Sequence, residues 1–477
     1  MRALVFGASG YVGTNLVPRL RERGFEIRTA ARHADVLQAR GWSNVEIVAA
    51  DALEPASLFA ALAGIDVAFY LVHSMASGAD FARLDRQAAA NFRDAAAAAG
   101  VQRITYLGGL QPGDNASEHL LSRRETGDVL RAGPVPVTEI RAGIVVGAGS
   151  AAFEVIRDLV NHLPVMTTPR WVRSRTRPIA LDDLLDYLVG LAEQPETAGQ
   201  TYDVGGPETL TYADMLRQFA AVTGKRRLIL PVPVLTPRLS SYWLGLVTAV
   251  PAAIARPLID GLRHDLVPDD RAIRKVLPIP LHTYRQAILA ALRQERSLSV
   301  PARWTEGALV FRGYNPEVSY YSKGDRTEFD ADASATSLWK VVASLGGDSG
   351  YYYANILWRV RGLLDRLVGG PGMRRGRRHP AEVRIGDTID FWRVVALETG
   401  HRLTLLADMR LPGTAVLEFE VVSTGPRSSR LITTARFHPS GMPGLLYWNA
   451  LAAVHPRIFR EMPRAMVRRA EWLESLG

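Results

Sequence analysis

The chain of 477 residues carries a formal net charge of +9 and contains no cysteine. This length exceeds what a single hydrophobic core usually organises, so we expect two or three domains. The absence of cysteine excludes disulfides, thiolate metal ligands and cysteine nucleophiles, and it suits a cytoplasmic protein. The charge is modest for this size, and no helix-turn-helix, zinc-finger or ribonucleoprotein motif points to a nucleic-acid partner.

Short apolar strands alternate with helical segments over the first 140 residues. Such alternation with short connections predicts an α/β fold with a parallel, doubly wound sheet of the Rossmann type. The near-continuous apolar run at residues 67–72 fits a strand that is buried on both faces. The predicted strands are Ala3–Phe6, Glu26–Ala30, Glu46–Ala49, Val67–Val72, Ile104–Leu107 and Thr138–Ile140, and the predicted helices are Val12–Arg23, Ala56–Leu62, Phe81–Ala99 and Glu118–Arg131.

A glycine-rich turn joins the first strand to the first helix. Glycine in this turn allows a tight bend, brings backbone N–H groups close to a pyrophosphate and lets the helix pack closely on the strand. The amino terminus of the helix then faces the phosphates with the positive end of its dipole. The motif therefore predicts a dinucleotide-binding site. Its residues are Gly7, Ser9, Gly10, Tyr11, Val12 and Gly13.

The residues after the second strand discriminate between the two nicotinamide dinucleotides. Sites specific for NAD usually place Asp or Glu there, where it holds the ribose 2′-hydroxyl. This chain has Ala31-Arg32 instead, and a guanidinium pairs with a 2′-phosphate or stacks on adenine. We therefore expect NADPH (NADP) as the cofactor. Asp51 and Ala52, after the third strand, are expected near the adenine amine.

Between residues 150 and 300 the sequence becomes more helical and richer in proline. We interpret residues 205–290 as a small substrate lobe within a first domain that spans residues 1–300. A further strand at Thr201–Val204 and a helix that starts near Tyr212 are predicted here.

Two segments are candidates for peripheral contact with a membrane. The apolar segment 240–256, which Pro251 interrupts, is either a buried helix or a helix that lies on a membrane surface. The basic run 374–378 is either a solvated loop or a contact for phosphate or acidic lipid. No uncharged apolar run of about 18 residues is free of proline, so no membrane-spanning helix is predicted.

The C-terminal portion, residues 308–477, is predicted to be an α+β domain. Four segments between Thr388 and Phe437 alternate apolar and polar residues, which predicts an antiparallel meander with one covered face. In one segment Leu417, Phe419 and Val421 alternate with glutamates. In another, the residues expected on the covered face are Ile389, Phe391, Val395 and Leu397.

One helix is predicted to follow this meander. A sheet wrapped on such a helix would enclose an apolar space, and the helix stripe is either plain core or the wall of a pocket for a hydrophobic small molecule. Tyr351 and Trp358 are candidates for the same space. The stripe consists of Leu445, Trp448, Ala452, His455, Phe459, Met462 and Met466.

Three features resemble the atypical and extended short-chain dehydrogenase/reductase superfamily. They are the Gly-x-x-Gly-x-x-Gly spacing from Gly7 to Gly13, Asp51 after the third strand, and Tyr70-Leu-Val-His73-Ser74 at the end of the fourth. More narrowly, residues 1–300 resemble NmrA-like NAD(P)-binding proteins of bacteria that are fused to a C-terminal domain of unknown function. The tail resembles helix-grip domains of the START and polyketide-cyclase kind. The resemblance implies that Leu71, Val72 and His73 contact the cofactor.

The usual catalytic residues of that superfamily are replaced in this chain. Its members carry a serine after the fifth strand and then Tyr-x-x-x-Lys, in which the tyrosine protonates a carbonyl oxygen and the lysine holds the ribose. Here Gly108 and Gly109 stand where the serine is expected. Alignment on Ser122 places His119 at the tyrosine position and Arg123 at the lysine position. Arginine can hold the ribose hydroxyls, and histidine can donate a proton near neutral pH.

Two functions stay open at this point. The first is an NADPH-dependent reductase of a hydrophobic ketone, quinone or conjugated alkene, with His119 as proton donor and Arg123 as cofactor anchor. The second is a non-catalytic NADPH-binding sensor or regulatory protein whose C-terminal domain binds a lipid or another small molecule. No histidine pair has metal-ligand spacing, so no metal is predicted, and no Gly-x-Ser-x-Gly elbow supports a serine hydrolase.

Overall fold

The computed structural model describes residues 1–32, 34–38, 40–73, 81–111, 117–168, 170–231, 264–296, 322–367, 379 and 382–476. These residues form two compact units, one built almost entirely from the chain before residue 300 and the other mainly from residue 322 onward. The candidate membrane segment 240–256 and the basic run 374–378 lie outside the described residues. Among the helices of the described ranges, none combines the length and apolar character that crossing a bilayer requires.

A parallel sheet of seven strands forms the centre of the first unit. The strands of this unit are β1 (Arg2–Phe6), β2 (Glu26–Ala31), β3 (Val45–Ala49), β4 (Val67–Tyr70), β5 (Arg103–Gly109), β6 (Val137–Ala142), β7 (Val145–Val146), β8 (Val165–Thr168), β9 (Arg175–Thr176), β10 (Ile179–Ala180), β11 (Thr201–Val204), β12 (Leu210–Thr211) and β13 (Leu228–Pro231). In the large sheet the order is β11-β6-β5-β4-β1-β2-β3. The winding direction therefore reverses between β1 and β4, where open α/β sheets bind their ligands.

Helices cover both faces of this sheet. The helices of this unit are α1 (Tyr11–Glu22), α2 (Ala34–Gln38), α3 (Pro55–Leu62), α4 (Phe81–Ala98), α5 (Glu118–Arg131), α6 (Ala151–His162), α7 (Leu181–Glu193), α8 (Tyr212–Val222), α9 (Arg271–Val276) and α10 (Tyr284–Arg296). Ala3 and Val5 of β1 belong to one buried cluster, whereas Leu4 and Phe6 belong to another. Because successive side chains of a strand point to opposite faces, the sheet is buried on both sides. The predicted Rossmann-type α/β fold is confirmed.

Two strands of the segment 205–290, which is predicted as a substrate lobe, pair with strands that come earlier in the chain. β12 pairs antiparallel with β9, and β13 pairs in parallel with β8. Just before this segment, β11 pairs with β6 and so adds a strand to the large sheet.

An antiparallel sheet of six strands forms the centre of the second unit. Its strands are β14 (Lys323–Ala331), β15 (Thr388–Ile389), β16 (Trp392–Glu398), β17 (Arg402–Ala407), β18 (Gly413–Gly425) and β19 (Ser428–Pro439). Their order in the sheet is β14-β19-β18-β17-β16-β15. Its helices are α11 (Ala335–Ala343), α12 (Asn355–Leu367), α13 (Gly441–Ala450) and α14 (His455–Glu474). Leu417, Phe419 and Val421 are buried, as the alternation predicts. The predicted α+β arrangement is confirmed, and β14 is an additional strand that the sequence analysis did not predict.

Two local predictions in this unit are wrong. Val395 does not share the fully covered face, because the register shifts between Val394 and Ala396 and the buried position passes to Val394. The single helix predicted from Leu445 to Met466 is two helices, α13 and α14. Pro456 lies in the first turn of α14, where its missing N–H costs no helical hydrogen bond and its fixed φ favours the start of a helix.

Candidate functional site

The turn between β1 and α1, which we call the glycine cradle (residues 7–13), lies at the carboxyl edge of the parallel sheet. Gly7 has a φ of +92°, a conformation that favours glycine, and its N–H donates to the carbonyl oxygen of Ala30 over 3.0 Å. A Cβ on Gly13 would lie 2.5 Å from the carbonyl oxygen of Gly7 and 2.8 Å from the Cα of Ala8. The close approach of helix to turn therefore depends on glycine at this position.

The start of α1 is free of competing side chains. Gly10 precedes the helix, no side chain caps it, and the first turn contains no acidic residue. Ser9 is half-buried and Gly10 is exposed at this point. The first N–H groups of a helix have no partner within it, and they attract anions together with the helix dipole. The cradle thus fits the pyrophosphate of a dinucleotide.

The residues that follow β2 and β3 reach the same edge of the sheet, since parallel neighbouring strands end together. Arg32 follows β2 directly and is exposed. Asp51 follows β3, and its carboxylate accepts the N–H of Leu53 over 2.9 Å. Ala52 is buried, and its carbonyl oxygen accepts the side-chain amide of Asn91 over 2.9 Å. The structure therefore brings the predicted adenosine-side residues and the cradle to one edge.

The chain after β4 closes the opposite side of the cradle. Leu71 donates its N–H to the carbonyl oxygen of Phe6 over 3.0 Å. A Cβ on Gly7 would meet the backbone of Leu71 at 3.0 Å and the side chain of Val72 at 3.3 Å. Gly7 thus lets the ends of β1 and β4 approach each other closely at the point where the winding reverses.

A hydrogen-bonded network of four side chains begins at the next residue. Nδ1 of His73 lies 2.8 Å from a carboxylate oxygen of Asp85, and Nε2 of His73 lies 3.0 Å from Nδ1 of His119. The hydroxyl of Ser122 donates to the same oxygen of Asp85 over 3.0 Å. Asp85 is only 3% exposed, on the buried face of α4. The sequence analysis singled out His73 and His119 but not their connection through space, and it missed Asp85.

Both imidazoles of this four-residue network are uncharged near neutral pH. Burial is the main cause that lowers the pKa of His119 to about 3, and the nearby Arg123 and His73 add to it. Burial also lowers the pKa of His73, although the hydrogen bond to Asp85 opposes this shift. The neutral form of His119 is therefore the stable one near neutral pH.

The acceptors in the network fix the positions of its protons. The Asp85 carboxylate accepts both the Ser122 hydroxyl and the Nδ1–H of His73. His73 then accepts at Nε2, so His119 must donate its Nδ1–H there. This leaves a lone pair on Nε2 of His119 for any group that enters the site. If that nitrogen takes up a proton and each proton of the network moves by one partner toward Asp85, the order reverses: Asp85 is then protonated, and Nε2 of His119 carries an N–H.

Arg123 explains why glycine stands where a serine is usual. Its guanidinium donates to the carbonyl oxygen of Leu107 over 3.2 Å. A Cβ on Gly109 would lie 3.2 Å from Cδ of Arg123, and one on Gly108 would lie 2.6 Å from a carboxylate oxygen of Glu139. The arginine stem and Glu139 thus take the space that a side chain after β5 would need.

Comparisons with known proteins agree with this architecture. Residues 7–135 match a sequence family described as NAD(P)H-binding, and residues 318–462 match a family described as a protein of unknown function (DUF2867). No curated protein matches the chain.

Three solved structures share the fold of the first unit. Triphenylmethane reductase from Citrobacter sp. is 19% identical with a TM-score of 0.51, over 61% of this chain and 100% of that chain. The same reductase complexed with NADP(H) gives 19% identity and a TM-score of 0.50, over 61% and 99%. A nucleoside-diphosphate-sugar epimerase from Staphylococcus aureus gives 15% and 0.50, over 60% and 99%. The first unit therefore has a Rossmann fold, and its residues 7–135 are similar to an NAD(P)H-binding family.

Proposed function

We propose that the protein is an NADPH-dependent oxidoreductase that reduces a hydrophobic carbonyl, quinone or enone at the carboxyl edge of the parallel sheet. The bound cofactor would supply a hydride. The observation that carries the proposal is the four-residue network, which starts next to Val72 at the cradle and ends on Nε2 of His119, an atom with no hydrogen bond to any residue that the structure describes. Two linked neutral imidazoles backed by a buried carboxylate can move a proton, a property that binding alone does not require.

The cofactor choice rests on Arg32. It is exposed at the end of β2, where an NAD site usually carries an acidic residue. A guanidinium at this position pairs with the 2′-phosphate that distinguishes NADPH. Arg123 uses one nitrogen on the carbonyl of Leu107, and its other N–H groups are donors for the ribose hydroxyls.

The proton would reach the substrate through neutral groups. In the reactive arrangement protonated Asp85 donates to Nδ1 of His73, whose Nε2–H donates to Nδ1 of His119. The Nε2–H of His119 then points to the substrate oxygen. When the substrate is reduced, that oxygen would take the Nε2 proton, and each proton behind it would move by one partner. Asp85 ends as a carboxylate that the Ser122 hydroxyl stabilises, and no imidazolium forms.

The first experiment is a fluorescence titration of the full chain with NADPH and with NADH. We expect the wild type to prefer NADPH by about tenfold or more, which corresponds to one charge-assisted hydrogen bond. Arg32→Ala should lose this preference by weakening NADPH alone. Arg271→Ala is the matched control. Arg271 is 84% exposed and pairs with the nearby Asp269, and both residues are distant in sequence from Arg32. If neither dinucleotide binds, the proposal is wrong.

The second experiment separates a reductase from a sensor. NADPH oxidation is followed with a panel of apolar ketones, quinones and enones. Turnover with any of them that falls in His119→Gln supports the reductase. Tight NADPH binding without turnover across the whole panel would instead favour a non-catalytic sensor, in which the network has no chemical role.

A further inference from the structure

We propose that the second unit holds a separate binding site for an amphiphile, a ligand with an apolar body and an anionic head. A cavity of about 270 Å³ lies between the sheet and helices α12, α13 and α14. This volume is near the lower end of the range for small-molecule pockets. The inference is independent of the reaction proposed for the first unit.

The walls of this cavity are almost entirely apolar. Trp448 stacks on Phe437 with 5.8 Å between ring centroids and an interplanar angle of 7°. His455 follows at 4.6 Å from Trp448, and Phe459 lies 5.6 Å from His455. These rings form a continuous aromatic surface on one side, which favours the apolar body of a ligand.

The cavity divides the residues of the helical stripe into two groups. Met462 and Met466 are fully buried in the core of the unit. Trp448, His455 and Phe459 line the cavity instead. Part of the stripe is therefore core, and another part is cavity wall, as the proposed site requires. Trp358 also lines the cavity, whereas Tyr351 belongs to the buried core.

Two arginines provide the positive charge in this apolar setting. Arg361 and Arg436 both line the cavity. The guanidinium of Arg361 lies 5.2 Å from the ring centroid of Tyr447. Within the described ranges, neither arginine forms an ion pair with a carboxylate. A cation beside apolar walls is stabilised by a counter-ion, so an anionic head would complete the site.

His455 supplies a further polar group to the same space. Its Nδ1 is buried and has no hydrogen-bond partner among the residues that the structure describes. Buried polar atoms are normally paired, so an unpaired one that lines a cavity suggests a ligand group. With its hydrogen on Nδ1, the neutral ring of His455 donates to an acceptor oxygen, and the charge of Arg361 favours the same kind of head, an anionic group with acceptor oxygens.

One side of α12 marks the mouth of the cavity. Leu357, Val360 and Leu364 line the cavity and are nevertheless 48%, 48% and 51% exposed. An apolar rim of this kind provides a path for an alkyl chain or a ring system to enter from outside.

The test uses the full chain and dansyl-undecanoic acid as a fluorescent probe. The probe is displaced with dodecanoate, dodecyl phosphate and dodecanol, each below its micelle-forming concentration. We expect one of the two anions to bind about tenfold tighter than the neutral alcohol, as one charge-assisted hydrogen bond would provide. The tighter anion identifies the head as a carboxylate or a phosphate. Equal binding of alcohol and anions, or no binding of any probe, would overturn the proposal.

Variants locate the binding. The double variant Arg361→Gln, Arg436→Gln should lower the affinity for the anions to that of dodecanol and leave dodecanol unchanged. Arg430→Gln is the control, since Arg430 lies on the same strand as Arg436 but pairs with Asp330 outside the cavity. Ala415→Phe should weaken all three ligands by filling the cavity. If Ala415→Phe does not fold, the arginine variants still decide the outcome, because anion affinity that survives in them contradicts the proposal.

Discussion

The two units arrange charge in opposite ways. In the first unit the buried carboxylate of Asp85 accepts hydrogen bonds from Ser122 and His73, so neutral donors within the protein stabilise its charge. In the second unit Arg361 and Arg436 line an apolar cavity without a carboxylate partner in the described residues. A carboxylate at the end of a chain of hydrogen bonds is suited to move a proton, whereas a cation without a carboxylate partner is suited to bind an anion.

Each unit also has a buried histidine, and the two histidines differ in their hydrogen bonding. Nδ1 of His119 is hydrogen-bonded to His73, and Nδ1 of His455 has no partner among the described residues. Burial lowers the pKa of both side chains, to about 3 for His119 and about 4 for His455. Equal charge states with different bonding therefore indicate different roles, and four experiments can break or sharpen this distinction.

The largest effect is expected for His119→Gln. Glutamine cannot pass a proton from one atom to another, so turnover should fall about a hundredfold, as for the loss of a general acid or base. NADPH affinity should stay unchanged, because the cradle is untouched. Arg124→Gln is the control, since Arg124 is exposed on the same helix. Equal turnover in both variants would show that the network has only a structural role.

A somewhat smaller effect is expected for Gly13→Ala, measured as NADPH affinity. The added Cβ would lie 2.5 Å from the carbonyl oxygen of Gly7, so the turn must move away from the pyrophosphate. We expect a loss of at least about tenfold, since small displacements of a positioning group are costly. Gly100→Ala is the matched control: it has a φ of +72° with no atom near its Cβ, so it should cost about 1 kcal/mol of stability but no affinity. Equal NADPH affinities in the two variants would show that the cradle does not contact the cofactor.

Acid should destabilise the protein through its buried neutral histidines. Below its ordinary pKa of 6.5, His455 takes up a proton in the unfolded chain, whereas the folded form stays neutral down to about pH 4. The unfolded state thus binds more protons, and the free energy of unfolding falls as the pH falls through this window, by at most about 1.4 kcal/mol per pH unit. Denaturant unfolding of His455→Gln should show less of this loss than His401→Gln, because His401 is 44% exposed. Identical pH dependence in the two variants would contradict this account.

The smallest effect is expected when the usual serine is restored. In Gly109→Ser the new Cβ would lie 3.2 Å from Cδ of Arg123 and from Leu120, so a loss of about 1 kcal/mol in unfolding free energy is expected. Removing the arginine stem with Arg123→Ala should relieve part of that loss. A double-mutant cycle measures this coupling, and strictly additive losses would show that the glycine and the arginine are independent.

Periodicity alone predicted the first unit well. The helix predicted at Glu118–Arg131 is found with those bounds, because its sequence repeats an apolar face between clear breaks. The strand Lys323–Ala331 was missed, since Phe329 is its only large apolar residue and its place in the sheet depends on a distant partner. The bulge at Val395 was also missed, since alternation in the sequence continues through an extra residue.

The candidate site was only half predictable for the same reason. The cradle is local and follows from the spacing of its glycines. The four-residue network joins residues from three segments, and only the packing of α4 against α5 brings them together. One signal could have found it: Asp85 shares the buried face of α4 with Ala88, Ala89 and Phe92. A lone carboxylate on an apolar helix face must have a polar partner.

The pairing of Lys323–Ala331 with Ser428–Pro439 also imposes a delay during synthesis. The earlier strand emerges from the ribosome about a hundred residues before its partner, which at 5–20 residues per second is roughly 5 to 20 s. During that time its backbone is open to pairing with other nascent chains. Five of its nine residues are charged, and charge along a waiting strand discourages such contacts. The charged composition, which made this strand hard to predict, therefore also protects it from wrong pairing until its partner strand is synthesised.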